Sequence, residues 1–372
     1  MRTAWGPSTS SHGSSCSKGS KGVSQRRACV AAAAPDELAT SSSPPPSQTS
    51  PPPQPVENLY TRLDSLLAAT EDPGGGRGWV SAPEAAATEA AALALVQQAV
   101  AAGQLKGFGS LEQAVPKKQY TIADLKLNSI QAEALLSPKD NSLNLTRNVA
   151  QGAAAAGLAA MAFLSDGNFV QVFQVTTALA FVLVFDQVAN QGGGESLIVD
   201  TIGRQLLPTY RSRVALHEAG HFLVAYLVGV LPRSYTLSSL DAFVRLRALN
   251  VQAGTRFCDE VFVKEVQTGR LSSTSLDRYT NVALAGVVTE YLAFGQAEGG
   301  IGDVLQLDGM FRALSFSQTK ADSEVRWAVL NAATILRTHE ALHRRVAAAM
   351  EGGSRVGALI RMIEEDLAAK GV

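Results

Sequence analysis

Val214-Ala215-Leu216-His217-Glu218-Ala219-Gly220-His221-Phe222-Leu223 sits past the middle of a 372-residue chain and carries two histidines four residues apart. Its neighbours are mostly uncharged, and Phe222-Leu223-Val224-Ala225-Tyr226-Leu227-Val228 prolongs it, which predicts a buried helix. Residues four apart on a helix lie one above the other, so His217 and His221 present two imidazoles to one ion. Glu218, beside the first ring, points toward the same side of the cleft. There it can take a proton from a water activated by the ion and later pass it to a leaving amine. A zinc ion used in this way needs three protein ligands and one open position.

The chain holds a second His-Glu-x-x-His match, His339-Glu340-Ala341-Leu342-His343. Arg337-Thr338 precedes it and Arg344-Arg345 follows it directly. Guanidinium groups repel a divalent cation and indicate a solvated helix face, so His339 and His343 are read as non-ligands. The third ligand must then be a carboxylate, because no further histidine follows His221 at the spacing of a longer metal motif. Thr274–Phe294 reads as a strong helix, with Thr274 and Asp277 as a capping box and Gly295 at its C-cap. Glu290 lies within that helix. The loop Gly299-Gly300-Ile301-Gly302 leads to Asp303, and Asp308 lies five residues further on.

Three stretches together resemble the peptidase domain of the FtsH-type zinc metalloprotease family. They are His217-Glu218-Ala219-Gly220-His221, Ala283-Leu284-Ala285-Gly286-Val287-Val288-Thr289-Glu290-Tyr291-Leu292-Ala293-Phe294-Gly295, and Gly302-Asp303. The resemblance covers Pro208 to the C terminus. It implies that His217, His221 and Asp303 bind zinc and that Glu218 is the general base. The loop before Asp303 is one residue shorter than the usual pattern. Glu290 falls where the family has a glutamate that orients a ligand histidine, and it is the alternative third ligand. Asp308 reads as a helix-surface acid.

One departure is large. The family couples its peptidase to an ATPase, yet no Gly-x-x-x-x-Gly-Lys-Ser/Thr loop occurs in these residues. The chain is thus similar to plastid FtsH-related proteins whose peptidase domain follows a hydrophobic segment. Expected substrates are unfolded or exposed protein segments, with an FtsH-type ATPase partner or a homo-oligomer as further partners.

Composition frames the rest. Apolar residues make up 46%, charged residues 17%, and the net charge is -1. No basic block lies beyond residue 34, which argues against nucleic acid, and three cysteines exclude a disulfide framework. Residues 1–34 carry five basic and no acidic residues, many hydroxyls and no apolar run before the alanines, which is organelle-targeting composition, and Arg26-Arg27-Ala28-Cys29-Val30-Ala31 resembles the end of a chloroplast transit peptide. Residues 35–55 read as a Pro/Ser-rich linker. Helical spacing over 56–70 and 85–104 marks a helical region, 56–140, without recognisable chemistry.

From Asn148 to Ser165 there are 18 uncharged residues, and from Gly167 to Phe185 there are 19 more. This apolar helical pair, 148–188, reads either as a thylakoid or envelope membrane hairpin turning at Asp166-Gly167-Asn168, or as a pair buried against the rest. Cys258 reads as a partly buried thiol, Gly192-Gly193-Gly194 as a connector, and Trp327, Leu330 and Leu336 as core. The expected architecture is mainly α. A helical zincin-type metallopeptidase domain over 200–372, with a small strand element at Tyr235–Phe262, follows the apolar pair. A catalytically silent, membrane-associated scaffold in the plastid is the competing function.

Overall fold

A computed structural model describes residues 56–69, 82–138, 143–164, 168–190, 192–246 and 253–371. The expected transit peptide, the Pro/Ser linker and the Asp166-Gly167 turn lie outside the described residues. The architecture is mainly helical. In chain order the elements are α1 (Val56–Ala69), α2 (Ala82–Ala101), α3 (Ile122–Leu127), α4 (Ala132–Leu136), α5 (Asn144–Leu164), α6 (Phe169–Ala189), α7 (Gly193–Leu206) and α8 (Pro208–Val228). Then come β1 (Pro232–Thr236), α9 (Ser239–Leu246), β2 (Gly254–Phe257), α10 (Glu260–Gln267), α11 (Ser273–Phe294), α12 (Ile301–Ala313), α13 (Gln318–Thr338), α14 (Glu340–Glu351) and α15 (Val356–Ala369).

Helix α8 is the axis of the fold. Pro208 opens it at a position where the missing N–H costs nothing, and Gly229, at φ 88°, closes it in the left-handed conformation. From Val214 to Val228 every residue except Leu216 is buried, because α11, α13, α14 and both strands contact it. The closest partner is α11, and Gly220 permits the approach: a Cβ there would collide with Thr289 Oγ1. Core aromatics such as Phe222 and Trp327 are essentially inaccessible, and truncation of such a side chain to alanine costs about 3–5 kcal/mol. Leu330 and Leu336 are buried beside Trp327, and Val356, Leu359, Ile360, Ile363 and Leu367 bury one face of α15.

Local details differ from the sequence expectations. Ser272, not Thr274, caps α11 by accepting from Ser275 N–H, while Asp277 is drawn away into an ion pair with Lys117. Gly193 and Gly194 belong to the first turn of α7, and only Gly192, at φ 75°, acts as a connector. The strand element starts earlier and ends sooner than the expected Tyr235–Phe262: β1 begins at Pro232, β1 and β2 pair antiparallel with Tyr235 opposite Thr255, α9 intervenes, and Glu260 already begins α10.

The described residues between 82 and 138, silent in sequence, brace the end of α8 and the loop ahead of α12. Gly109 and Leu111 N–H groups donate to Tyr226 and Leu227 carbonyls at the end of α8, at 3.1 and 2.9 Å. Glu364 of α15 accepts from the Lys106 and Gly107 amides and from Tyr226 Oη at 2.8, 2.9 and 2.5 Å. The Ala297 amide donates to Ala134 O at 3.2 Å, which fastens the loop ahead of α12.

Helices α5 and α6 lie outside this core. No residue of α6 is buried, and Phe169, Phe173, Phe181 and Phe185 are all exposed. Asn168 caps α6 through Gln171 N–H, and Asp186 near its other end accepts from the Gly194 and Glu195 amides. Among the described residues α6 is the one helix long and apolar enough to cross a membrane. Its 21 residues span about 32 Å at 1.5 Å per residue, close to the ~30 Å of a bilayer core. Burial of the pair against the remaining helices is not what the structure contains.

Candidate metal centre

His217 and His221 stand one turn apart on α8, and Asp303 enters from the first turn of α12. His217 Nε2 is 3.1 Å from His221 Nε2, and Asp303 Oδ2 is 3.2 and 3.4 Å from those two nitrogens. A tetrahedral cation bound at about 2.1 Å spaces its ligand atoms about 3.4 Å apart. The three atoms therefore outline one face of such a tetrahedron. Among the described residues this buried trio is the one group of its kind that can hold a metal ion.

The far side of each ring fixes which nitrogen faces the point the trio shares. His221 Nδ1 lies 2.7 Å from Val282 O, and a carbonyl only accepts, so Nδ1 carries a hydrogen and Nε2 is the nitrogen turned toward the other two groups. His217 Nδ1 donates likewise to Glu290 Oε1 at 2.7 Å. Burial would raise the Glu290 carboxyl, but His217 and the Glu298 and Gly299 amides outweigh it and hold it at about 2. Its other oxygen, Oε2, accepts from those amides at 2.9 and 3.0 Å and from Arg213 at 3.0 Å. Glu290 thus sits behind the ring instead of in the ligand trio.

That glutamate joins three elements. Arg213 lies one turn before His217 on α8, bridges to Glu298 at 3.3 Å, and stacks over Phe294 at 4.2 Å. The loop between α11 and α12 needs its glycines at close quarters. A Cβ on Gly299 would collide with Glu290 Oε1, and Gly300 takes φ 81° with Val287 pressed against it. Replacing Glu290 with Gln removes the charge and turns an NH2 toward other donors. Metal affinity should fall roughly 10–100-fold, measured by chelator competition, and an unchanged affinity would mean that His217 needs no such anchor.

Gly286 of α11 lies beneath both rings: a Cβ there would be 2.5 Å from His221 Nε2 and closer still to His217 Nε2. Glu218, 2% exposed, accepts from Thr255 Oγ1 of β2 at 2.9 Å. Burial pushes its carboxyl pKa up, and the charges of the two histidines offset this only in part. A carboxylate with raised proton affinity suits a general base.

Burial raises the Asp303 pKa, but charge on His221 and bonding to both rings leave it well below the usual carboxylate range. Burial lowers that of His217, yet Asp303 and Glu290 outweigh it and leave it raised well above 6.5. A cation at Nε2 must displace that tightly held proton. Apparent metal affinity should therefore climb about tenfold per unit as the pH is raised from about 6.5 through neutrality, and be lost again on acidification. A pH-independent affinity over that range, read by titration calorimetry, would contradict the arrangement.

The other expected residues are elsewhere. Asp308 is exposed and pairs with Arg312 at 2.7 Å. His339 and His343 take no part in the trio, but the reason differs from the expected solvated face, since both are buried. His339 occupies the break between α13 and α14, and His343 Nε2 donates to Leu216 O at 2.9 Å. Glu340 and the arginines around them do face solvent. Cys258 is partly buried, and its thiol is pushed up to about 12 by desolvation, which leaves it protonated and inert at neutral pH. Arg213, Thr255, Gly286 and the Val282 carbonyl were not read from sequence. Arg213 alone carried a signal, its helical spacing from His217.

Comparison of the chain with protein-family models, curated proteins and solved structures returns no match.

Proposed function

We propose that this chain is a zinc-dependent metalloendopeptidase of the FtsH type, acting in a plastid without an ATPase among its own residues. The observation that carries this reading is the tetrahedral face made by His217, His221 and Asp303 with Glu218 beside it. Two imidazoles and a carboxylate suit zinc. Bound there, zinc would supply Lewis acidity and lower the pKa of a coordinated water toward about 7.

The chain's own groups do the remaining work. Glu290 and the Val282 carbonyl hold the rings by their Nδ1 hydrogens, so both Nε2 atoms face the ion. Glu218 removes a proton as the water oxygen bonds to the peptide carbonyl carbon. The same proton then passes to the amide nitrogen as the C–N bond breaks, releasing a carboxylate and an amine. The helical zincin-type fold is part of the same proposal, supported by the order metal helix, short strand pair, second helix and acidic loop.

The exposed apolar girth of α6 supports anchorage in a thylakoid or envelope membrane. Protein segments that are already unfolded, or delivered by a separate ATPase or a second copy, would be the substrates. A second reading is a catalytically silent membrane-associated scaffold. The near-complete burial of His217, Glu218, His221 and Asp303 favours it, since a polypeptide must reach the ion. Purified full-length protein separates the two. Hydrolysis of an unfolded protein should disappear on chelation and return with zinc; a zinc-loaded protein that never cuts would establish the silent reading.

A further inference from the structure

We propose that Thr255 is the positioning residue that sets the Glu218 carboxylate, holding one oxygen and leaving the other for the reacting water. The proposal rests on the peptidase reading above. Thr255 is buried in β2, and its hydroxyl lies 2.9 Å from Glu218 Oε2 and 3.2 Å from Glu218 O. A hydroxyl has one hydrogen to give, and the shorter contact, to the more basic carboxylate, takes it.

The side chain bearing that carboxylate has three rotatable bonds, and in a dry site it is repelled by the Asp303 carboxylate. A fixed donor removes this freedom. The donor is itself fixed: Thr255 pairs with Tyr235 in β1, and Tyr235 Oη donates to Ser354 O at 2.6 Å. The strand pair is thereby tied to the segment between α14 and α15.

The hydrogen bond also survives the reaction. When Glu218 receives a proton on Oε1, Oε2 becomes a carbonyl-like oxygen that still accepts from Thr255. One contact therefore serves both protonation states, and no rearrangement is needed between proton uptake and delivery. Sequence gives no hint of this, since Thr255 and Glu218 are 37 residues apart.

Valine replaces threonine with nearly equal shape and suits a strand, so Thr255→Val tests the hydroxyl without opening a cavity. The comparison runs wild type, T255V, T255S, E218Q and the E218Q/T255V pair, each zinc-loaded, on an unfolded protein. T255V should lower kcat roughly tenfold or more, with KM and zinc affinity unchanged. T255S should recover most of the loss, and T255V should add nothing in the E218Q background. An unchanged kcat in T255V, a loss carried by KM or zinc affinity, or a failure of serine to rescue would each overturn the proposal. Wild type no faster than E218Q would instead sink the peptidase reading beneath it. A second readout needs no turnover: the infrared carboxylate stretch of Glu218, isolated by subtracting E218Q, should shift in T255V. Absence of that shift would also overturn the assignment.

Discussion

Replacing Gly286 with alanine should abolish metal loading while leaving the helices in place. Glycine in the middle of a helix ordinarily destabilises it by about 0.5–1 kcal/mol relative to alanine, so on propensity the substitution should help. Here the added methyl has nowhere to go. It would press on the Nε2 atoms of both His217 and His221, the atoms that must converge on the ion. Either α11 backs away from α8 or the rings rotate and break their bonds to Val282 O and Glu290. Both outcomes disperse the trio, and zinc affinity should fall on the order of 10³-fold or more, in a protein whose far-ultraviolet circular dichroism stays helical. Wild-type affinity in Gly286→Ala would show that the two helices are not packed as described.

Glu218→Gln should separate binding from chemistry. Glutamine keeps the shape and can still accept from Thr255, but it cannot take up a proton at neutral pH. Zinc content should remain at the wild-type level while turnover of an unfolded protein falls by about 10²- to 10⁴-fold. The burial that raises the Glu218 carboxyl makes the loss larger, because a base better matched to the task is being removed. Equal turnover in the two proteins would eliminate Glu218 as the proton carrier.

The parts of this site visible in sequence are those whose spacing a helix enforces. His217 and His221 had to share a face, whereas Asp303 was singled out among the downstream acids only by the resemblance of its glycine-containing loop. What sequence could not reveal depends on long-range contact. Thr255 and the Val282 carbonyl reach the site from other elements, and Gly286 matters only because two rings rest on it. The second His-Glu-x-x-His run shows the limit from the other side. Its flanking arginines do face solvent, yet the two histidines turn inward, because His343 finds an acceptor in Leu216 O and the arginines occupy the opposite face. Gly109, Leu111 and Ala134 were silent for a similar reason: they satisfy backbone groups at the end of α8 and ahead of α12, and such contacts leave no local pattern. The apolar pair was half legible. Length and composition marked α6, whereas α5, rich in alanine and glycine, lacks its hydropathy.

X-ray absorption at the zinc edge of the purified, zinc-loaded chain tests the metal centre most directly. One zinc per chain should appear with only nitrogen and oxygen neighbours at about 2.0–2.1 Å and outer-shell scattering from two imidazoles, reduced to a weaker site in Asp303→Ala. A sulfur shell near 2.3 Å, fewer than two imidazoles, or a spectrum unchanged by Asp303→Ala would contradict the ligand set on which the proposed chemistry stands.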